Sequence, residues 1–86
     1  MKFISLGYGN SVAVDRVVAL VSPDSAPVKR LMQDAKEMGR IIDVSCGRKT
    51  RSVIITDSEH VILSALTTEK IALRLEGNAP SDDDDE

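Results

Sequence analysis

Residues 41–66 read IIDVSCGRKTRSVIITDSEHVILSAL, and this stretch decides the fold. It contains three apolar runs whose first residues are ten positions apart: IIDVSC (41–46), RSVIIT (51–56) and VILSAL (61–66). Short runs at even spacing are typical of β-strands joined by tight turns. The connectors GRKT (47–50) and DSEH (57–60) carry Gly, Asp and Ser, which favour turns. The stretch therefore predicts an antiparallel β-meander with Arg48 and Lys49 at a hairpin tip.

Two further β segments precede this stretch. KFISL (2–6) is a short β-like run, and the GYGN that follows it (7–10) has the two glycines and the Asn of a hairpin turn. SVAVDRVVALV (11–21) is dense in Val and lacks a polar helix face. It predicts one long strand, bent or bulged near Asp15 and Arg16, where the apolar pattern breaks, with a helix of the same length as the alternative.

Two helices complete the predicted order. After SPDSAP (22–27), where Asp24 or Ser25 can cap a helix, apolar residues recur at helical spacing up to Gly39. The members of this face are Val28, Leu31, Met32, Ala35 and Met38. TTEKIALRLEG (67–77) predicts a short closing helix. The order β-β-α-β-β-β-α indicates an α+β fold, a small antiparallel sheet with one central and one C-terminal helix.

The composition predicts one small domain over residues 1–76. Of the 86 residues, 42% are hydrophobic, and Phe3 and Tyr8 are the only aromatic side chains, so the core must be aliphatic. The single Cys46 excludes an internal disulfide, and Cys46 and His60 are too few ligands for a structural zinc site. Strand alternation places Cys46 in the core. A small aliphatic core without crosslinks, metal or cofactor predicts a homo-oligomer.

Charge is segregated along the chain. The formal net charge is −3, yet the final SDDDDE (81–86) holds five of the 14 acids, which leaves nine acids against 11 bases in the rest. Blocks of like charge repel, so residues 77–86 are predicted to be a disordered acidic tail. Two interpretations remain open: the tail is a solubilising extension, or it mimics a polyanion and competes for the basic surface.

The cations of the opening stretch predict an anionic partner. Arg48, Lys49 and Arg51 fall within four positions, and cations on a protruding tip cannot neutralise one another. A narrow basic tip suits the phosphates or the minor groove of duplex DNA. Arg16 is a fourth candidate, with a water-facing strand edge as its alternative. No apolar run approaches membrane-spanning length, so we expect a cytoplasmic protein with no membrane partner.

Two enzyme-like patterns are weak. GYGNSV (7–12) lacks the third Gly of a dinucleotide-binding motif, and a strand rather than a helix is predicted after it. Asp57, Ser58 and His60 are hydrolase residue types, but one tight turn cannot give them the separate positions of a catalytic triad. The sequence therefore predicts no enzyme and no small-molecule substrate.

Several of these segments together resemble a known family. The pieces are GYGN (7–10), SPDSAP (22–27), GRKTR (47–51) and DSEHVILSA (57–65). From about residue 3 to residue 74 the chain resembles the RemA-like extracellular matrix regulatory proteins of bacteria. The resemblance implies a DNA-binding transcription regulator of matrix and biofilm genes, which assembles into ring-shaped homo-oligomers and acts at the nucleoid.

The basic positions of that family fall on Arg16, Arg48 and Lys49, with Arg51 close behind. Lys49 stands where the family commonly has Arg, and it lacks the planar fork of a guanidinium. Asp15 precedes Arg16 where an uncharged residue is usual, and the acidic tail is not part of the family pattern. The sequence leaves one alternative function open: a structural or protein-interaction ring that does not bind DNA.

Overall fold

A computed structural model describes residues 2–77, so the predicted tail lies outside the described residues except for Gly77. Within the described part, strands and two helices form an α+β fold, which confirms the predicted class. The elements, in chain order, are β1 (Phe3–Gly7), β2 (Asn10–Ala13), a 3-10 turn (Val14–Arg16), β3 (Val17–Val21), α1 (Ala26–Glu37), β4 (Ile41–Asp43), β5 (Ser52–Thr56), β6 (Val61–Ser64) and α2 (Thr68–Leu75).

β1 and β2 form an antiparallel hairpin that is separate from the main sheet. Its turn lies where GYGN predicts it, and Gly7, Tyr8 and Gly9 all have positive φ, at 89°, 55° and 82°. Two glycines adopt this conformation without a steric penalty, whereas the Tyr8 backbone is strained. Tyr8, at the tip of this hairpin, is therefore an aromatic residue held in a strained backbone conformation.

The prediction of one long strand over residues 11–21 is wrong. The chain makes a 3-10 turn at Val14–Arg16, and β2 and β3 belong to different sheets. The turn falls where the apolar pattern breaks, and it leaves Asp15 and Arg16 exposed. The two polar residues thus mark a change of sheet rather than a bend within one strand.

The main sheet has the strand order β3-β5-β6-β4. β3 and β6 pair antiparallel with β5, and the DSEH connector (57–60) joins β5 to β6 as predicted. The predicted hairpin between β4 and β5 is wrong, because β4 pairs in parallel with β6 and the sheet is mixed. Even spacing along a chain reflects the length of the connections and does not identify the pairing partners. Residues 44–51 are therefore a loop that passes the end of β6, not a hairpin tip.

α1 begins and ends as predicted. The Ser25 hydroxyl accepts the Val28 N–H at 3.3 Å, and Gly39 follows the last turn with a φ of 71°. Three members of the predicted apolar face pack on the sheet: Val28, Met32 and Ala35. Two remain exposed to solvent: Leu31 and Met38.

The core is aliphatic, as predicted, and lies on both faces of the main sheet. Val53 and Ile54 are neighbours in β5, so they point to opposite faces, and both are fully buried. α1 covers the Val53 side, while the β1–β2 hairpin and α2 cover the Ile54 side. The larger cluster consists of Ile4, Leu6, Val12, Ile54, Ile62, Leu66 and Ile71.

Replacing Ile71 tests whether α2 is held by this cluster. Ile71 is fully buried, so Ile71→Ala removes its contacts and leaves a cavity, which is expected to lower the free energy of unfolding by about 2–5 kcal/mol. Leu73→Ala is the matched control on the same helix, because Leu73 is 48% exposed. Denaturant unfolding followed by circular dichroism measures both. Equal losses in the two variants would contradict this packing of α2.

Candidate nucleic-acid interface

The loop of residues 44–51 starts from a fixed point at Asp43. The Asp43 carboxylate accepts the Ser45 N–H at 2.9 Å and the Ser45 hydroxyl at 2.6 Å. These two hydrogen bonds hold the pKa of Asp43 below its usual value of 3.8, and the bond from the Ser45 hydroxyl contributes more than the bond from the N–H. The backbone then turns sharply, because Cys46 and Gly47 have φ values of 56° and 81°.

The rest of the loop crosses the end of β6 and meets the start of α2. The Arg48 N–H donates to the Ser45 carbonyl at 3.0 Å, and the Arg51 N–H donates to the Ser64 carbonyl at 2.8 Å. After β6 ends at Ser64, the chain continues to Thr67, whose hydroxyl caps α2 by accepting the Lys70 N–H at 3.2 Å. The crossing therefore brings the loop cations beside the first turn of a helix.

Four cationic residues line one depression of about 480 Å³, and none of its lining residues is acidic. The cations are Arg48, Lys49, Arg51 and Lys70. Leu66 and Tyr8 are also part of the lining. Asp24 and Glu69 lie beside two of the cations in a smaller depression of about 230 Å³. Positive groups around a concave surface focus the potential there, which favours the binding of phosphate.

Tyr8 links the β1–β2 hairpin to this basic surface. The guanidinium carbon of Arg48 lies 5.6 Å from the centre of the Tyr8 ring. Such a cation–π contact contributes about 0.5–1 kcal/mol at an exposed site and restricts where the guanidinium lies. The half-buried ring thus positions one of the loop cations at the edge of the depression.

Arg16 lies away from this cluster within the chain. Its guanidinium forms an ion pair with Asp57 at 2.9 Å, next to the end of β5 that is opposite Arg51. Arg51 and Asp57 are six positions apart, which corresponds to about 20 Å along a strand. The structure therefore brings three of the four candidate site residues together, and Arg16 lies apart from them within one chain.

Sequence reasoning missed two members of the depression. Tyr8 lies 40 positions before Arg48, and Lys70 lies 19 positions after Arg51. No local pattern connects either residue to the basic segment, because the fold alone brings the β1–β2 hairpin and α2 to the same loop. A surplus of Lys and Arg near residue 50 was the signal that the sequence could provide.

The hydrolase-like residues do not form a triad. The Ser58 hydroxyl and His60 Nδ1 lie 2.7 Å apart, but the Asp57 carboxylate binds Arg16 instead of His60. A triad needs the carboxylate to orient the imidazole, so this turn lacks that relation. The Thr56 hydroxyl lies 3.0 Å from the Ser58 hydroxyl, and the contacts stabilise the turn between β5 and β6.

The prediction that Cys46 lies in the core is wrong. Cys46 is exposed, because β4 ends at Asp43 and the alternation of a strand no longer applies three residues later. Among residues 2–77, no group of three or more His, Cys, Asp or Glu side chains is positioned to hold a metal ion. Neither described helix is both long and apolar enough to cross a membrane.

Comparison with known proteins assigns a family. The model of the RemA-like family, described as extracellular matrix regulatory protein A-like, matches residues 3–75. A relative from Geobacillus thermodenitrificans is 58% identical over 91% of this chain and 90% of its own length. A relative from Clostridium botulinum is 53% identical over 96% and 91% of the two chains. One from Acetivibrio thermocellus is 52% identical over 100% and 96%. All three carry the name "Putative regulatory protein".

The loop anchor predicts a specific pH dependence. Because folding lowers the pKa of Asp43, its contribution to stability is present above 3.8 and is lost as the pH falls through the folded-state pKa. Carboxyl NMR should therefore show Asp43 titrating below 3.8. Asp43→Ala is expected to speed amide exchange of Ser45 about fivefold, the equivalent of one hydrogen bond of ~1 kcal/mol.

Glu37→Ala in α1 is the charge-matched control and should leave exchange of Ser45 unchanged. Titration of Asp43 at or above 3.8, or equal exchange of Ser45 in both variants, would contradict the anchor.

Proposed function

We propose that this chain, which belongs to the RemA-like family of extracellular matrix regulatory proteins, is a DNA-binding transcription regulator. It binds duplex DNA as a ring-shaped homo-oligomer, at the nucleoid in the cytoplasm, and controls genes of the matrix or biofilm type. It is not an enzyme and uses no cofactor. The regulatory role follows from the family, and the basic depression supports DNA as the partner.

The observation that carries the proposal is the grouping of Arg48, Lys49 and Arg51 on one exposed loop beside Lys70. Contacts with the DNA backbone are made largely by Lys and Arg, and they need no base-specific geometry. A short loop reads groove width and backbone charge better than base identity, so sequence preference is expected to be weak.

One subunit is too small to bind DNA tightly. A few phosphate contacts correspond to non-specific binding of about 10⁻⁴–10⁻⁶ M at physiological salt. A ring repeats the same loop around its circumference, so several subunits contact one DNA molecule and the later contacts become intramolecular. Homo-oligomer formation is therefore the step that converts a weak basic loop into an effective DNA-binding surface.

An apolar groove offers a surface for that assembly. It has a volume of about 630 Å³ and lies between α1 and the β3 edge of the main sheet. Val18 and Met38 line it and are 66% and 67% exposed. Its border is charged with both signs, through Arg40 paired with Glu59 and through Asp57. An apolar centre with a polar rim is the usual anatomy of a protein interface, and the occupant that we propose is a second copy of the chain.

Arg16 has a place in this assembly. It pairs with Asp57, which lines the apolar groove, so Arg16 lies next to the proposed boundary between subunits. At such a boundary, Arg16 can extend the basic surface of a neighbouring copy, although Arg16 lies about 20 Å from the loop of its own chain. Its phosphate contact would then compete with the exposed ion pair to Asp57, which contributes little by itself.

The basic loop is tested by the double variant Arg48→Ala/Lys49→Ala. It should lose detectable duplex binding in a gel shift and elute as the wild-type oligomer, because exposed loop residues contribute little to packing. Lys29→Ala/Lys36→Ala in α1 removes the same charge away from the loop and should bind normally. Arg16→Ala should weaken binding, and Lys49→Arg should retain or improve it, since the guanidinium fork suits a narrow groove.

Unchanged DNA affinity in the double variant would refute the loop as the DNA site. Dissociation of that variant into monomers of 9.3 kDa would mean that the cations join subunits instead. Wild-type oligomers that fail to bind duplex DNA at low salt would favour the alternative, a ring that acts through protein partners.

The groove is tested by Met38→Lys, which places a charge at its apolar centre. Light scattering at micromolar concentration should show the 9.3 kDa monomer for this variant and an oligomer for the wild type. Gln33→Lys adds the same charge on the same helix but outside the groove, and it should remain oligomeric. A Met38→Lys oligomer of wild-type mass would exclude the groove as the contact.

A further inference from the structure

The basic depression is large enough to hold a small molecule. Its volume of about 480 Å³ lies within the range of small-ligand pockets, about 300–1,000 Å³. Its lining comes from three separate parts of the chain: the tip of the β1–β2 hairpin, the loop of residues 44–51, and residues 65–70. A concave surface of this size can hold a separate small molecule as well as a phosphodiester backbone.

The lining combines positive charge with an aromatic surface, and one class of ligand can contact both. Arg48, Lys49 and Lys70 supply positive charge, and the Tyr8 ring supplies an aromatic surface at the same pocket. Phosphate binds to Arg and Lys, and nucleobases stack on aromatic side chains. A phosphate ion uses only the cations and an apolar ligand uses only the ring. A nucleotide uses both.

The backbone on two sides of the pocket is held in unusual conformations. Tyr8 has a φ of 55° at the tip of the β1–β2 hairpin, and Cys46 has a φ of 56° two residues before Arg48. Non-glycine residues in this region are strained and are often found where a side chain must be placed for binding. Here the two strained turns meet where the Arg48 guanidinium lies 5.6 Å from the centre of the Tyr8 ring.

The start of α2 adds to the same preference. Thr67 caps this helix and lines the pocket, and Lys70 follows in the first turn. The N-terminus of a helix carries a partial positive charge that favours anions. It reinforces the cations of the loop, and Glu69, the acidic residue of this first turn, lines the smaller neighbouring depression instead.

From these features we infer that the pocket binds a free nucleoside polyphosphate, with the base against Tyr8 and the phosphates between the loop cations and Lys70. Because Arg48 and Lys49 serve both ligands, the nucleotide and DNA compete for this surface. The competition rests on the proposed function, whereas the binding of nucleotide does not. A regulator built in this way releases DNA when the concentration of the nucleotide rises.

The test is isothermal titration of the full chain with ATP, GTP, adenosine and inorganic tripolyphosphate, each alone. Tyr8→Leu is expected to weaken binding of ATP or GTP by about 5- to 150-fold, the loss of one base–aromatic stack. Tripolyphosphate binding should weaken less, by at most about fivefold, because it loses only the cation–π contact that places Arg48. Lys70→Ala should weaken the nucleotide and tripolyphosphate alike, because it removes a phosphate contact. Lys36→Ala in α1 is the control and should change neither.

Three results would overturn the inference. They are the absence of saturable nucleotide binding, nucleotide affinity that equals tripolyphosphate affinity, and nucleotide affinity that Tyr8→Leu does not change. A parallel gel shift separates the two proposals. Arg48-dependent DNA binding without nucleotide binding would refute only this inference, and nucleotide binding without DNA binding would refute only the proposed function.

Discussion

The N–H of Val44 donates to the Leu63 carbonyl at 2.9 Å and ends a short parallel pairing between β4 and β6. This pairing determines where the cations lie. Because β4 is at the edge of the sheet and β5 is two strands away, the connecting loop must pass the end of β6. That end leads directly into α2, so the loop reaches the helix cap and the tip of the β1–β2 hairpin. An antiparallel hairpin of β4 and β5 would not have crossed the end of β6 towards α2.

The local features of the fold could be predicted from the sequence, and the non-local pairings could not. Caps, turn glycines and helical spacing act over a few residues, so α1, α2 and the GYGN turn were predicted correctly. The partner of β4 depends on the path of α1 across the sheet, which no local pattern encodes. The same limit explains Cys46, because strand alternation does not reveal that β4 ends at Asp43.

The candidate site likewise has one part that could be predicted from the sequence and another that depends on the fold. Arg48, Lys49 and Arg51 are neighbours in sequence, so their grouping was visible before the structure. Tyr8 and Lys70 join them only through tertiary contacts, and the shape of the depression depends on both. Arg16 shows the opposite case, since a cation that the family resemblance grouped with the loop lies beside Asp57 at the far end of β5. Only contact between subunits, and not the fold of one chain, can place Arg16 beside the basic depression.

The central claim is that repeated weak loops on one oligomer bind one DNA molecule, and the salt dependence of the wild type tests it most directly. Each phosphate contact contributes about 0.9 to the slope of log affinity against log salt concentration. The five cations of one chain that we place against DNA, four around the depression and Arg16, therefore allow a slope no steeper than about −4.5. Fluorescence anisotropy of a labelled duplex between about 50 and 200 mM salt gives the slope for the intact oligomer. The account predicts a slope that is clearly steeper than this limit for one chain. A slope no steeper than the limit would contradict the account.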